Sequence, residues 1–228
     1  DEFLSLMAEV LFSPSFPENE WERLRTQALS GLLAAESSPS DISRALTRTL
    51  NFTKNHPYGE ITTAETLGAI TREDFQDYHS TYFHPNKAYL VVVGDINPNT
   101  AFEKANEHFG NWKKANIPYH RWDNPARPRN TRVCLASIEG AVQTSLKLTH
   151  IINMPPGNTD AIAASVMNSI LGGGAFSGRL MQNLREEKAF TYGARSSFSP
   201  DPLIGSFTAY ADVRNEVTDS AIVEFLYE

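Results

Sequence analysis

Leu171-Gly-Gly-Gly-Ala-Phe-Ser-Gly-Arg-Leu-Met-Gln-Asn-Leu-Arg-Glu-Glu-Lys-Ala-Phe-Thr-Tyr192 reads as a glycine hinge, then a short amphipathic helix, then the start of a strand. Arg185 leaves near the end of the helix and Tyr192 opens the strand. A guanidinium supplies several N–H donors in a rigid fork and a phenol adds one O–H, a pair suited to gripping peptide carbonyls. Neither group binds zinc. Taken alone, they read as a surface arginine and a half-buried strand tyrosine. The glycines also invite a phosphate-loop reading, yet Gly173-x-x-x-x-Gly178 is followed by Arg179-Leu180, not by Lys and Ser or Thr. The groups that would hold phosphate and Mg²⁺ are missing, so a nucleotide-binding protein is the weakest of the functional readings.

Composition sets outer limits. At 228 residues and 41% hydrophobic, the chain can bury a substantial core in one or two domains. No apolar run is long enough for a membrane span, and no signal peptide is visible. Lys and Arg total 20 against 27 Asp and Glu, a balance of −7 that argues against a nucleic-acid partner. The single cysteine, Cys134, excludes an internal disulfide and reads as a small core filler in a strand. Cysteine usage fits the cytoplasm without excluding the periplasm.

The pattern along the chain predicts an α+β fold in three sections. Residues 1–113 read as mainly helical, with apolar faces over 2–12 and 18–36, helices opened by capping residues over 38–50 and 71–82, one more from Asn97-Pro98 to about 109, and a buried strand over Ala88–Val93. Residues 114–130, with Pro118, Pro125 and Pro128, read as a proline-rich linker. Residues 131–228 alternate strands (132–137, 144–151, 192–198, 203–213) with helices (159–171, the helix of Arg185, and 217–227). Along 144–151, Leu146, Leu148 and His150 alternate with Ser145, Lys147 and Thr149; further on, Phe207, Ala209 and Ala211 alternate with Ser206, Thr208 and Tyr210.

Several of these segments together resemble the insulinase and mitochondrial-processing-peptidase superfamily of zinc metallopeptidases, the M16 family. Arg179-Leu180, Leu184-Arg185-Glu186 and Thr191-Tyr192-Gly193 are similar to a helix and a strand start that follow a glycine-rich segment in that family. Ser13-Pro-Ser-Phe-Pro-Glu-Asn-Glu-Trp-Glu-Arg23, Asn55-His-Pro-Tyr-Gly-Glu60, Ile70-Thr-Arg-Glu-Asp-Phe75 and Tyr82-Phe-His-Pro-Asn-Lys-Ala-Tyr-Leu-Val-Val-Val-Gly-Asp-Ile96 follow in the family's order. The resemblance implies two partial M16-type (LuxS/MPP-like) α+β units with antiparallel-rich sheets: the later part of one half, over 1–113, and the earlier part of the next, over 131–228. A start inside a helical pattern and a stop at Glu228 suit a piece of a duplicated chain.

The zinc motif of the family, His-x-x-Glu-His on one helix face, has no match here. His56, His79, His84, His108, His120 and His150 include no pair four apart, and they read as surface or hydrogen-bonded residues. By the same resemblance, the family's downstream glutamate ligand falls on Gly31, whose mid-helix glycine suggests close packing. The resemblance therefore implies a zinc-less half or subunit, inactive alone, within a zinc metalloendopeptidase. It needs no cofactor of its own, and zinc belongs to a partner half, in a homo- or heterodimer or on one polypeptide. Arg185 and Tyr192 would be its catalytic and substrate-holding residues, with Gly173 and Gly174 lining the peptide, in a bacterial periplasm or cytoplasm. The alternative is a proteolytically inactive assembly subunit of the same fold, like the core proteins of respiratory complexes.

Overall fold

The computed structural model describes residues 1–126, 128–174 and 176–228; Arg127, within the expected linker, and Ala175, within the glycine stretch, lie outside the described residues. Capping chemistry starts most of the early helices. After α1 (Glu2–Phe12) and α2 (Glu18–Glu36), Ser38 Oγ accepts from the Asp41 N–H to begin α3 (Pro39–Phe52). Thr63 and Thr66 cap each other across α4 (Ala64–Ala69), a helix with no clear signal in the apolar pattern. Thr71 and Asp74 do the same for α5 (Arg72–Tyr82). The backbone N–H of Thr71, 2.7 Å from Asp74 Oδ2, holds that carboxyl below its ordinary range. Asn97 caps α6 (Pro98–Phe109), which has Pro at its first position.

The chain divides into two units that interleave in sequence: 1–30 with 63–121, and 31–62 with 122–228. One border falls inside α2, between Ser30 and Gly31, and another at Arg121–Trp122. The first unit contains α1, α4, α5 and α6, with an aromatic cluster in which Phe75 stacks on Phe16 and meets Trp21 edge-on.

The second unit is built on a three-stranded antiparallel sheet of order β1 (Gln143–Ile152), β3 (Gly205–Arg214), β2 (Thr191–Ser199). Between β1 and β2 come α7 (Ala161–Asn168), a π-helical turn (Ser169–Gly173), α8 (Arg179–Met181) and a π-helical continuation (Gln182–Glu187); α9 (Thr218–Tyr227) follows β3. Leu180, Leu184, Ala221 and Phe225 from the helices bury against Ala194, Ala209, Ala211 and Val213 of the sheet. Leu184 and Val213 are fully buried, and each such side chain contributes about 1.5–3 kcal/mol. Leu146 and Leu148, opposite Ala211 and Ala209 in the ladder, extend this face onto β1.

Four expectations fail. Ala88–Val93 forms no strand, and Tyr89 and Val93 are 96% and 92% exposed. Arg132–Ser137 likewise forms none, leaving Val133, Leu135 and Cys134 exposed, so Cys134 is no core filler. β-branched residues favour an extended backbone, but a strand needs a neighbour for its ladder, and none of the described residues pairs with either segment. Gly31 is exposed in α2 and a Cβ there would meet nothing within 4 Å, so close packing does not explain it.

A polar pin ties the turn after α3 (Pro57–Gly59) to the loop before β3. Tyr58 Oη donates to Asp201 Oδ1 at 2.8 Å, and the same oxygen accepts the Leu203 N–H at 2.8 Å. His56, 3% exposed, accepts the Tyr58 N–H through Nδ1 and packs between Phe52 and Tyr58. Burial alone would raise the Asp201 carboxyl, but the donors at Leu203, Tyr58 and Ile204 outweigh it and lower it below the ordinary value.

A carboxyl lowered in the folded state adds stability above its unfolded value of about 3.9, and that stability is lost as pH falls through the folded value. Urea unfolding from pH 7 to pH 2 is therefore expected to show an acid-side loss that shrinks in Asp201→Asn. Leu184→Ala is expected to lower urea stability by about 2–5 kcal/mol. Gly31→Ala, at an open helical site, is expected to raise it by up to about 1 kcal/mol.

Candidate functional site

The glycine stretch is held by its packing. Gly172 is buried, and a Cβ there would lie 2.7 Å from Ser196 N and 2.8 Å from Ser196 Oγ on β2. A Cβ on Gly173 would run into Asn168 Nδ2. Asn168 and Ser196 bond each other twice: Ser196 Oγ donates to Asn168 Oδ1 at 2.7 Å, and Asn168 Nδ2 donates to Ser196 O at 3.2 Å. The first two glycines thus let the π-helical turn lie directly on the strand. Gly174 Cβ would stand 3.0 Å from Ser169 O. Asn168 and Ser196 had no motif to mark them; only the fold brings them together.

Arg185 sits in the π-helical segment, about one-third exposed. Its guanidinium carbon lies 5.3 Å from the centre of the Phe176 ring, and its Nε is 3.4 Å from Glu186. Gln182 Nε2 donates to Phe176 O at 2.6 Å and steadies that ring's backbone. At the end of the segment, Ala189 takes a left-handed φ of 52° and Phe190 N–H closes on Leu184 O, turning the chain into β2.

Tyr192 owes its position to a β-bulge. Thr191 pairs with Val213, yet Ala194 pairs with Ala211, so two residues, Tyr192 and Gly193, stand opposite Asp212. Without the extra residue, Tyr192 would alternate with Ala194 and Ser196 onto the buried face. With it, the ring joins the face of Asp212 and is 90% exposed. Thr191 Oγ1 anchors the bulge, donating to Asp212 O at 2.6 Å and accepting the Gly193 N–H at 3.1 Å. Arg185 thus belongs to the helical layer and Tyr192 to the open sheet face; among the described residues, no hydrogen bond, ion pair or ring contact joins them.

The open face carries the polar half of each strand. Directly opposed residues share a face, so Lys147, Tyr210 and Arg195 form one row across β1, β3 and β2, and Thr149, Thr208 and Ser197 form the next. α3 packs over β1 on this side, with Asn51 Nδ2 donating to Thr149 Oγ1 at 2.7 Å. Alternation in the sequence separated these residues from the apolar ones, but their alignment across strands needed the register.

A cleft of about 630 Å³ lies elsewhere, lined by residues that include Arg179, Asn183, Lys188, Glu224 and Glu228. Its charges compensate one another: Arg179 to Glu228 at 2.6 Å, Lys188 to Glu224 at 3.3 Å, and Asn183 donating to both glutamates. The Asn183 bond, then Lys188, lowers the Glu224 carboxyl. Neither Arg185 nor Tyr192 lines this cleft.

The residues present do not fit zinc. His79 bonds Leu11 O, and His84 bonds Lys113 O and Ser80 O. Among the described residues, one group of three, Asp1, Glu107 and His108, brings ligand-type atoms within 4.8 Å. Lys104 Nζ already lies 2.8 Å from Asp1 and 3.0 Å from Glu107, so an ammonium balances that cluster. Among the described residues no helix is long and apolar enough to cross a membrane.

Residues 69–228 match the family model described as "Peptidase M16 inactive domain". The chain is 26% identical over 203 residues to "Non-peptidase homolog YmxG" of Helicobacter pylori, covering 87% of this chain and 46% of that protein. It is 24% identical over 209 residues to "Uncharacterized zinc protease YmxG" of Bacillus subtilis, covering 91% and 49%. It thus spans about half the length of these relatives. A crystal structure of a peptidase M16 inactive domain from Pseudomonas fluorescens superposes with a TM-score of 0.83 at 26% identity, over 99% of this chain and 56% of that one. The periplasmic protease PqqL from Escherichia coli shares the fold, with a TM-score of 0.64 at 14% identity over 96% and 25%.

Gly172→Ala is expected to lower urea stability by about 1–3 kcal/mol, since its methyl group must displace the Ser196 backbone. The opposite sign from Gly31→Ala would confirm that only the first of these glycines is required by contact.

Proposed function

The chain belongs to the peptidase M16 inactive-domain family, and from that membership we propose that it holds extended peptide for hydrolysis at a zinc-bearing half that it does not itself contain. Tyr192 carries the reading. A bulge directs its phenol, 90% exposed, out of a sheet whose alternation would otherwise bury it. A buried position would satisfy packing, whereas an exposed phenol on a rigid strand is free to donate, which supports a role in holding a peptide carbonyl. Arg185, on the helix that leads into the same strand, supplies the second donor, and Phe176 lies against its guanidinium. Gly173 and Gly174 bring the neighbouring backbone close to the peptide. In this scheme the chain binds and orients; bond cleavage belongs to the zinc-bearing half, on the same polypeptide or in a dimer.

A second reading has its own support in the Helicobacter pylori relative's description as a non-peptidase homolog. The chain would then be an assembly subunit, and both residues would be without a substrate. A peptide-cleavage assay of the chain with a zinc-bearing M16 partner separates the two.

In that assembly, Arg185→Ala or Tyr192→Phe is expected to lower turnover by about 10²-fold or more, the usual loss when one donor to a developing oxyanion is removed. Zinc content, measured by atomic absorption, is expected to stay unchanged. Wild-type turnover in both variants would remove the assignment.

A further inference from the structure

The open sheet face holds two cationic side chains in one row, with Asp212 in the next. Lys147, Tyr210 and Arg195 lie side by side in one cross-strand row. Strands sit about 4.8 Å apart, so the two cationic residues start roughly 10 Å apart, with the tyrosine between them. Long side chains rising from such positions can converge on one small anion above the ring. Arg195 is exposed and Tyr210 is 41% exposed, so the row is reachable. Among the described residues, none of the three side chains has a hydrogen-bond or ion-pair partner.

Lys147 is the telling member. Its side chain is half-buried, and desolvation, followed by the charge of Arg44 on α3, lowers its ammonium below the ordinary lysine value. Arg44 is itself paired with Asp41 at 2.9 Å, and Asp212 in the next row offsets the local charge only in part. Burying an ammonium without an acceptor is unfavourable unless an anion arrives to pair with it. The guanidinium of Arg195 grips planar anions with two parallel bonds, and the Tyr210 hydroxyl adds a third donor. A carboxylate has the size and planarity for this row, and Tyr192 stands on the same face, opposite Asp212, two positions along β3.

We propose that Lys147, Tyr210 and Arg195 form a carboxylate-binding subsite for the peptide that this chain holds. The inference rests on the peptide-holding reading and adds the feature that the row selects. The carboxylate belongs to an acidic side chain or to the peptide's C-terminus, and both present the same group.

Three peptides of one length and otherwise one sequence separate these sources by fluorescence anisotropy with the 228-residue chain. One carries a free C-terminus and no acidic residue, one an amidated C-terminus and a single glutamate, and one an amidated C-terminus and glutamine instead. At least one carboxylate peptide is expected to bind about tenfold more tightly than the neutral one, the usual value of a charge-assisted bond, and the tighter of the two identifies the source. Arg195→Gln is expected to abolish the preference, Arg195→Lys to keep part of it, and Tyr210→Phe to weaken it by about threefold to fivefold. Equal binding of all three peptides would overturn the subsite and leave the peptide-holding reading standing. A preference that survives Arg195→Gln would likewise overturn it. Binding of none would overturn both.

Discussion

Close approach between helix and sheet is the constraint on which the second unit depends. β2 and β3 present Ala194, Ala209 and Ala211 to the helices, and these small side chains let Leu180 and Leu184 descend to near-complete burial. Gly172 goes further, because even a methyl group there would collide with Ser196. The cost of a larger residue at any of these points would be a displaced helix, since protein interiors leave no slack of that size. With one sheet face committed to this contact, the opposite face is left to polar residues.

That division assigns roles. Arg185 is carried by the helical layer, and its place follows from Leu184 beside it, which is fully buried. Tyr192 lies on the other face because one extra residue in β2 breaks the alternation. The Asn168–Ser196 pair joins the two layers through three side-chain and backbone groups. The guanidinium and the phenol are thus carried by rigid elements, a helix and a strand, rather than by loop tips.

The first unit follows a different logic. Its helices are started by reciprocal caps at Thr63–Thr66 and Thr71–Asp74, and its contacts include aromatic rings around Phe16, Trp21 and Phe75. The exposed apolar run Ala88–Val93 shows what local preference cannot do: a β-favouring sequence becomes a strand only when another strand accepts its backbone bonds.

Local chemistry was legible in the residues themselves. Caps, apolar periodicity and turn residues placed the helices that became α1, α2, α3, α5, α6 and α9 and the strands β1, β2 and β3, because these signals act over a few residues and need no partner. The several spaced motifs carried the family, and the absence of His-x-x-Glu-His could be read directly. Pairing could not be read. The failed strands at 88–93 and 132–137, the bulge that exposes Tyr192, the contact that requires Gly172 and the alignment of Lys147, Tyr210 and Arg195 all depend on which distant backbone lies alongside. Only the tertiary structure decides those neighbours, since hydrogen-bond register and close packing act between segments that sequence distance does not relate.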